Sequence, residues 1–200
     1  MSTPVVTGRR ERTKAANRAA ILAAARRVFI ELGYGAASVR DIVRGTDLAT
    51  GTFYNYFPDK ESVLAALVDE IAVEARARVH AARMAATTLE GFVSAGFRAY
   101  FEFLVEDPET VAFMRRNAGT IRTRFDEPAL GAGIEELRAD LETAVRAGRI
   151  PAHDADLMAA AMVGAGVEVG LRMVERDPPD VERAVTFVTN VFLGAFERMG

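Results

Sequence analysis

Leu48–Lys60, LATGTFYNYFPDK, is the stretch that decides how this chain folds. Thr50 and Gly51 are small, and behind them stand four aromatics: Phe53, Tyr54, Tyr56 and Phe57. Pro58 ends the element, because its ring removes an N–H and clashes with the preceding turn of a helix. Asp59 and Lys60 open the next one. A short helix with hydroxyls and a glycine at its start, aromatics behind and a lysine just after is shaped to press against a phosphate backbone.

Upstream, Ser38 with Asp41 three residues on predicts a capped helix start, a short-chain version of the capping box. In that helix Val39, Ile42 and Val43 face inward and Arg40 and Arg44 outward, and Gly45-Thr46-Asp47 closes it. Before it, Ile21, Leu22, Ala25, Val28, Phe29 and Leu32 recur at three- and four-residue spacing. That period predicts an amphipathic helix from about Arg12 to Leu32, ended by Gly33. A long scaffold helix followed by two short helices and a tight turn is the helix-turn-helix arrangement. Its recognition helix is expected over Ala49–Tyr56, with Leu48 and Phe53 packing on Ile42 and Phe29. Thr50, Thr52, Asn55 and Tyr56 are expected to face the major groove, and Gly51, lacking a side chain, to let the helix start come close to DNA. Arg40 is placed to reach phosphate or a base edge.

Charge supports this division. Residues 1–60 hold ten Lys/Arg and five Asp/Glu, whereas the remaining 140 hold 15 and 23, within a net charge of −3. A basic head on an acidic body is the asymmetry expected of a DNA reader. The arginines Arg9, Arg10 and Arg12 belong to or adjoin a flexible arm over residues 1–11, either entering a minor groove or merely solubilising the tail. With no cysteine, disulfides, zinc-thiolate sites and thiol nucleophiles are excluded. No apolar run reaches 18 residues and no secretory h-region is present, so the chain reads as soluble and cytoplasmic, without a membrane partner.

Beyond Pro58 the period is helical throughout. Helices are expected from Asp59 to Met84, from Leu89 to Leu104 after a Thr87/Glu90 capping box, over Val111–Asn117 behind the Asp107-Pro108 cap, from Leu130 to Ala147 closed by Gly148, after Asp154, and from about Val181 to the end. A looser basic stretch to Phe125 follows Asn117. The result is an all-α chain of about nine helices. Its divisions are the arm 1–11, a three-helix DNA-binding domain 12–58, and a larger helical domain 59–200, to which the family resemblance given next assigns ligand binding and dimerisation.

Residues 17–64, above all GTFYNYFPDKE, resemble the TetR family of bacterial transcriptional regulators. The resemblance implies a homodimer joined through the last two helices and a ligand-binding body. Carried over by position, it also implies that Tyr54 and Lys60 touch phosphate. Two positions depart from the family pattern. Thr46-Asp47 stands where Ala-Gly is common, and a left-handed Asp47 is expected to keep the turn. Ala49 stands where Ser is common, which removes a cap that Asp47 or Thr50 would have to replace.

In the body, Phe92, Phe97, Tyr100, Phe101, Phe113 and Phe125 either fill the core or line an apolar pocket. Arg115, Arg116, Arg122 and Arg124 lie close together beside them, and Arg116 is taken as the cationic member of the ligand set. An acyl chain with an anionic head, a fatty acid or acyl-coenzyme A, suits that combination. The other reading pairs this basic run with Glu135, Glu136 or Asp140. The small-residue run Ala159–Gly170 and the apolar last helix form the expected dimer face. No catalytic residue, metal site or cofactor is assigned, since His80 and His153 are far apart and lack metal-ligand spacing. The function expected is a ligand-responsive repressor on a palindromic operator. The alternatives are an all-helical interaction protein, or a small-molecule-binding enzyme with no DNA role.

Overall fold

The computed structural model describes residues 8–124 and 128–199. Over these the chain forms ten helices: α1 Arg9–Glu31, α2 Val39–Arg44, α3 Thr50–Tyr54, α4 Lys60–Ala85, α5 Leu89–Glu106, α6 Pro108–Arg116, α7 Ala118–Arg122, α8 Pro128–Arg146, α9 Ala155–Met173 and α10 Val181–Met199. It is an all-helical protein with a helix-turn-helix domain ahead of a larger helical body. The helix that periodicity missed is α7, a five-residue turn inside the basic stretch.

Local chemistry explains most helix ends. Ser38 accepts from the Asp41 N–H while the Asp41 carboxylate accepts from the Ser38 N–H, the reciprocal cap that the sequence predicted. Asp107 caps α6 with Pro108 at its first position, and Asp154 caps α9. The Asp59 carboxylate accepts from the Ser62 N–H at the start of α4. Gly33 and Gly148 take positive φ, 78° and 65°, which side chains resist. At Gly148 the Arg149 and Gly148 N–H groups return to the Ala144 and Val145 carbonyls, a Schellman closure.

Three expectations need correction. α1 starts at Arg9, because Gly8 caps it and the Glu11 carboxylate accepts the Gly8 N–H. Arg9, Arg10 and Glu11 are therefore helical; residues 1–7 of the expected arm lie outside the described residues. α5 is capped by Thr88, whose hydroxyl accepts from the Gly91 N–H, so Thr87 is one residue too early. Leu32 is exposed rather than inward, since it is the C-cap where the chain leaves the helix.

The chain divides into two compact units, Met1–Val68 and Asp69–Gly200. In the first, α2 packs on α1 and α3 on α2. Ile21, Phe29, Ile42, Phe53, Val63 and Leu64 are fully buried there, each side chain stabilising by roughly 1.5–3 kcal/mol on transfer from water. In the second, α5 packs against α10 and α9, and α8 against α9. Their core contains Phe97, Phe101, Leu141, Met162, Val188 and Phe192.

Candidate nucleic-acid interface

The turn between α2 and α3 is built for close packing. A Cβ on Gly45 would lie 3.2 Å from Ala24 Cβ and 3.3 Å from the Ile42 carbonyl oxygen. Arg27 donates to the Gly45 carbonyl at 3.1 Å. The Thr46 hydroxyl donates to the Val43 carbonyl at 2.8 Å and accepts from the Leu48 N–H at 3.2 Å. The left-handed Asp47 expected from the sequence is absent, as no described residue other than glycine has positive φ. Thr46 holds the turn through its hydroxyl instead.

α3 begins at Thr50 with Ala49 as N-cap and no side-chain cap bond. Neither Asp47 nor Thr50 replaces the missing hydroxyl, so α3 forgoes the ~1 kcal/mol that a serine cap supplies. Tertiary burial holds the helix in its place. Phe53 and Phe57 are buried, with ring centroids 6.2 Å apart. Arg18 of α1 lies over the Phe57 ring. On the opposite side Thr50, Gly51 and Asn55 are exposed, Thr52 and Tyr56 are half-buried, and Tyr54 is 55% exposed. A Cβ on Gly51 would meet nothing within 4 Å, so the protein's own packing does not require that glycine.

Arg40 is exposed on α2. Beside it, Asp41 is held below the usual carboxylate range, mainly by the Ser38 hydroxyl and N–H, with Arg44 and Arg40 adding attraction. The negative charge on this face is therefore engaged in a cap.

Two side chains of the expected DNA set have internal partners as well. Lys60 Nζ donates to the carbonyls of Tyr34 and Ala37, each at 2.8 Å, and lies over the Tyr34 ring. An ammonium carries three N–H donors, so one is left for an outside acceptor. The Tyr56 hydroxyl accepts from Asn17 Nδ2 of α1 at 3.2 Å, which leaves its own O–H as a donor. Sequence reading missed Asn17 and Tyr34. They lie 39 and 26 residues from their partners, beyond any local spacing rule.

In the body, Phe97, Phe101 and Phe113 are buried, and Phe97 stacks on Phe192 of α10 with centroids 5.7 Å apart. Phe92 and Tyr100 pack partly buried on the same core. Desolvation pushes the Tyr100 hydroxyl up to about 12. Arg116 is exposed, and Phe125 lies outside the described residues. Arg115 pairs with Glu175 at 3.2 Å. Glu135, Glu136 and Asp140, suggested above as partners for the basic run, instead face Arg138, His80 and Arg83. Arg115 and Arg116 end α6, Arg122 ends α7 and Arg124 follows it, whereas these acids lie on α8, with Glu136 and Asp140 against the later part of α4.

The run Ala159–Gly170 also divides. A Cβ on Gly166 would lie 3.3 Å from Phe97 Cε1, and one on Gly170 2.6 Å from Leu104 Cδ1. Those two glycines seat α9 against α5 within the chain. Ala160, Ala161 and Gly164 of α9 are exposed, as are Phe187 and Val191 of α10.

Residues 21–67 match the family described as bacterial regulatory proteins, tetR family. Over 130 residues the chain is 32% identical to the HTH-type transcriptional repressor AcnR of Corynebacterium efficiens, covering 65% of this chain and 62% of that protein's length. The fold is similar to that of a TetR-family transcriptional regulator from Pectobacterium atrosepticum, with a TM-score of 0.67 and 26% identity over 96% of this chain and 97% of that one. It is similar also to that of the transcriptional regulator FadR from Bacillus subtilis, solved in complex with stearoyl-CoA, with a TM-score of 0.74 and 22% identity over 86% and 96% of the two chains. The match is centred on α1–α3 and the start of α4, where the exposed and buried faces of α3 are sorted, and over that region the chain is similar to the TetR family of bacterial regulatory proteins.

Proposed function

We propose that this protein is a ligand-responsive transcriptional repressor that binds a palindromic operator as a homodimer. The DNA-binding domain is residues 12–58, and the body 59–200 binds the effector and dimerises. Arg40, Thr50, Gly51, Thr52, Tyr54, Asn55, Tyr56 and Lys60 make the DNA surface. The observation that carries this reading is the division of α3. Its apolar side chain Phe53 is buried with Phe57, while Thr50, Gly51, Tyr54 and Asn55 stay at the surface with no internal use for Gly51. One short helix reads too few base pairs for useful specificity, so two copies on a dyad are needed. The exposed apolar residues Leu157 of α9 and Phe187 and Val191 of α10 supply a dimer face.

The effector is a small hydrophobic molecule of the acyl class, a fatty acid or acyl-coenzyme A, whose binding releases DNA. Phe92, Phe97, Tyr100, Phe101, Phe113 and Phe125 meet its apolar part and Arg116 its head. Support comes from the aromatic content of α5 and from the acyl-coenzyme A held by the Bacillus subtilis FadR. The effector acts by favouring a body conformation in which the two heads no longer match successive major grooves.

A gel-shift assay with DNA from upstream of the chain's own coding region tests the reading. A salt-sensitive, competitor-resistant complex with dyad-symmetric DNA is expected, weakened by added acyl-coenzyme A. No complex with any such DNA at micromolar protein rules the DNA reading out, and a complex indifferent to every acyl compound rules out the effector class.

A further inference from the structure

The first two turns of α1 run ahead of the part of that helix that packs. At about 3.6 residues per turn, Arg10, Lys14, Asn17 and Ile21 share one face, at i, i+4, i+7 and i+11. Ile21 is buried in the core of the first unit. One turn ahead of it, Asn17 donates to the Tyr56 hydroxyl at 3.2 Å, and the Arg18 guanidinium lies 5.6 Å from the centroid of the Phe57 ring. Ahead of these, Lys14 and Arg10 are exposed. The face that is apolar where α1 packs, and polar where it meets the residues that follow α3, thus turns basic where it is uncovered. Arg12 points the opposite way. It shares its face with Ala16, Ala19 and Ala23, all exposed, so that side of α1 is the solvent side.

Nothing inside the helix rewards this arrangement. Arg10 and Lys14 are like charges at i and i+4, which oppose helix formation, and cations in the first turns oppose the helix dipole. The acid between them, Glu11, has its carboxylate on the Gly8 N–H as part of the cap. Among the described residues, no ion pair or hydrogen bond engages the side chain of Arg10 or of Lys14. An exposed basic pair that works against its own helix, on the side where α1 meets Tyr56 and Phe57, calls for an anion outside the chain. Counted at about 1.5 Å per residue, Lys14 stands about 5 Å and Arg10 about 10 Å ahead of Asn17 along the axis. One strand of a duplex carries a charge for every ~3.4 Å of its axis, so each cation can meet a different phosphate.

We propose, on the DNA-binding reading above, that Arg10 and Lys14 are a phosphate clamp: they grip the strand bordering the major groove beyond the Tyr56 end of α3, while Arg12 stays in solvent. Tyr56 and Asn17 mark where the groove-facing surface of α3 passes into this basic edge. Phosphates carry no sequence information directly, so the clamp adds affinity for any duplex and leaves the choice of operator to α3.

The test is fluorescence anisotropy of the full-length protein over a range of salt, on two duplexes of equal length: DNA from upstream of its own coding region, and an unrelated sequence. Arg10→Gln and Lys14→Gln keep good helix formers in place. Each should lower the slope of log affinity against log salt by about one, and the double variant by about two, on both duplexes alike. Arg12→Gln removes the same charge from the opposite face and should leave the slope unchanged. Arg10→Lys and Lys14→Arg should keep the wild-type slope, and Tm should fall in none of these variants. An unchanged slope in the double variant, an equal fall with Arg12→Gln, or a loss confined to one duplex overturns the clamp, while wild-type binding keeps the DNA reading intact. A wild-type protein that binds neither duplex overturns both.

Discussion

Lys60 Nζ donates to the Tyr34 carbonyl at 2.8 Å while standing 4.5 Å from the centroid of the Tyr34 ring. With the second bond to Ala37, this one ammonium closes the carbonyls of the α1–α2 connection onto the start of α4. A residue expected at the phosphate backbone is thus also a brace for the scaffold that presents α2. The two roles are separable. Lys60→Ala should lower stability by about 1–3 kcal/mol, the worth of charge-assisted hydrogen bonds. Through its third N–H it should also reduce the slope of log affinity against log salt by about one. Calorimetry and salt-dependent anisotropy with operator DNA measure both, and a fall in Tm with an unchanged slope leaves only the brace.

Gly51→Ala isolates the DNA role of a residue that nothing in the protein crowds. Within α3 the substitution should stabilise by about 0.5–1 kcal/mol, because glycine loses the most backbone freedom on folding. Operator affinity should nevertheless fall by about tenfold or more, as a lost close contact worth some 1.4 kcal/mol implies. Unchanged affinity places the start of α3 away from DNA.

Asn17 and Tyr56 should behave as one unit. With Asn17 donating to the phenol oxygen, the Tyr56 proton is directed elsewhere. Asn17→Ala and Tyr56→Phe are each expected to weaken operator binding, and the double variant to be no weaker than Tyr56→Phe alone. A coupling energy near zero in that cycle shows that the two act separately.

Gly170→Ala should destabilise the body. The added methyl would sit 2.6 Å from Leu104 Cδ1 and 3.3 Å from the Phe101 ring, overpacking that typically costs about 1–3 kcal/mol. Gly164→Ala, with nothing within 4 Å inside α9, should instead stabilise the chain by about 0.5–1 kcal/mol, as at Gly51. Urea melts of the two variants give the comparison, and equal midpoints contradict the assigned α5–α9 packing.

Alkaline titration should find Tyr100 late. Its folded-state value is raised to about 12 by burial, whereas an unfolded tyrosine ionises near pH ~10. The contribution to stability is therefore complete below pH ~10 and is lost as pH climbs through the folded value. Absorbance at the phenolate band should show a late component that disappears in Tyr100→Phe, and a Tyr100→Phe variant that keeps it assigns that component to another residue.

Much of this molecule was readable from the chain because its causes are local. Helical period, Ser38 with Asp41, Asp107 with Pro108, and Gly33 and Gly148 after their helices all act within four residues, so spacing alone marks them. The same locality limits precision. Thr87 and Thr88 are equally good caps on paper, and only the placement of the Gly91 N–H chooses the second. α7 is a single short turn, too brief to show a period.

The sequence by itself determined the order of the longer helices, the position of α3 and the sorting of the aromatics in and after it into buried Phe53 and Phe57 and an exposed Tyr54. Tertiary structure alone decided that Tyr56 is tied to Asn17, that Lys60 braces the carbonyls of Tyr34 and Ala37, and that two glycines of α9 serve α5 within the chain. It also decided that Arg83 meets Asp140. Those pairs join residues dozens of positions apart on different helices. Their energies depend on how the helices pack, and packing is a property of the whole chain rather than of any window along it.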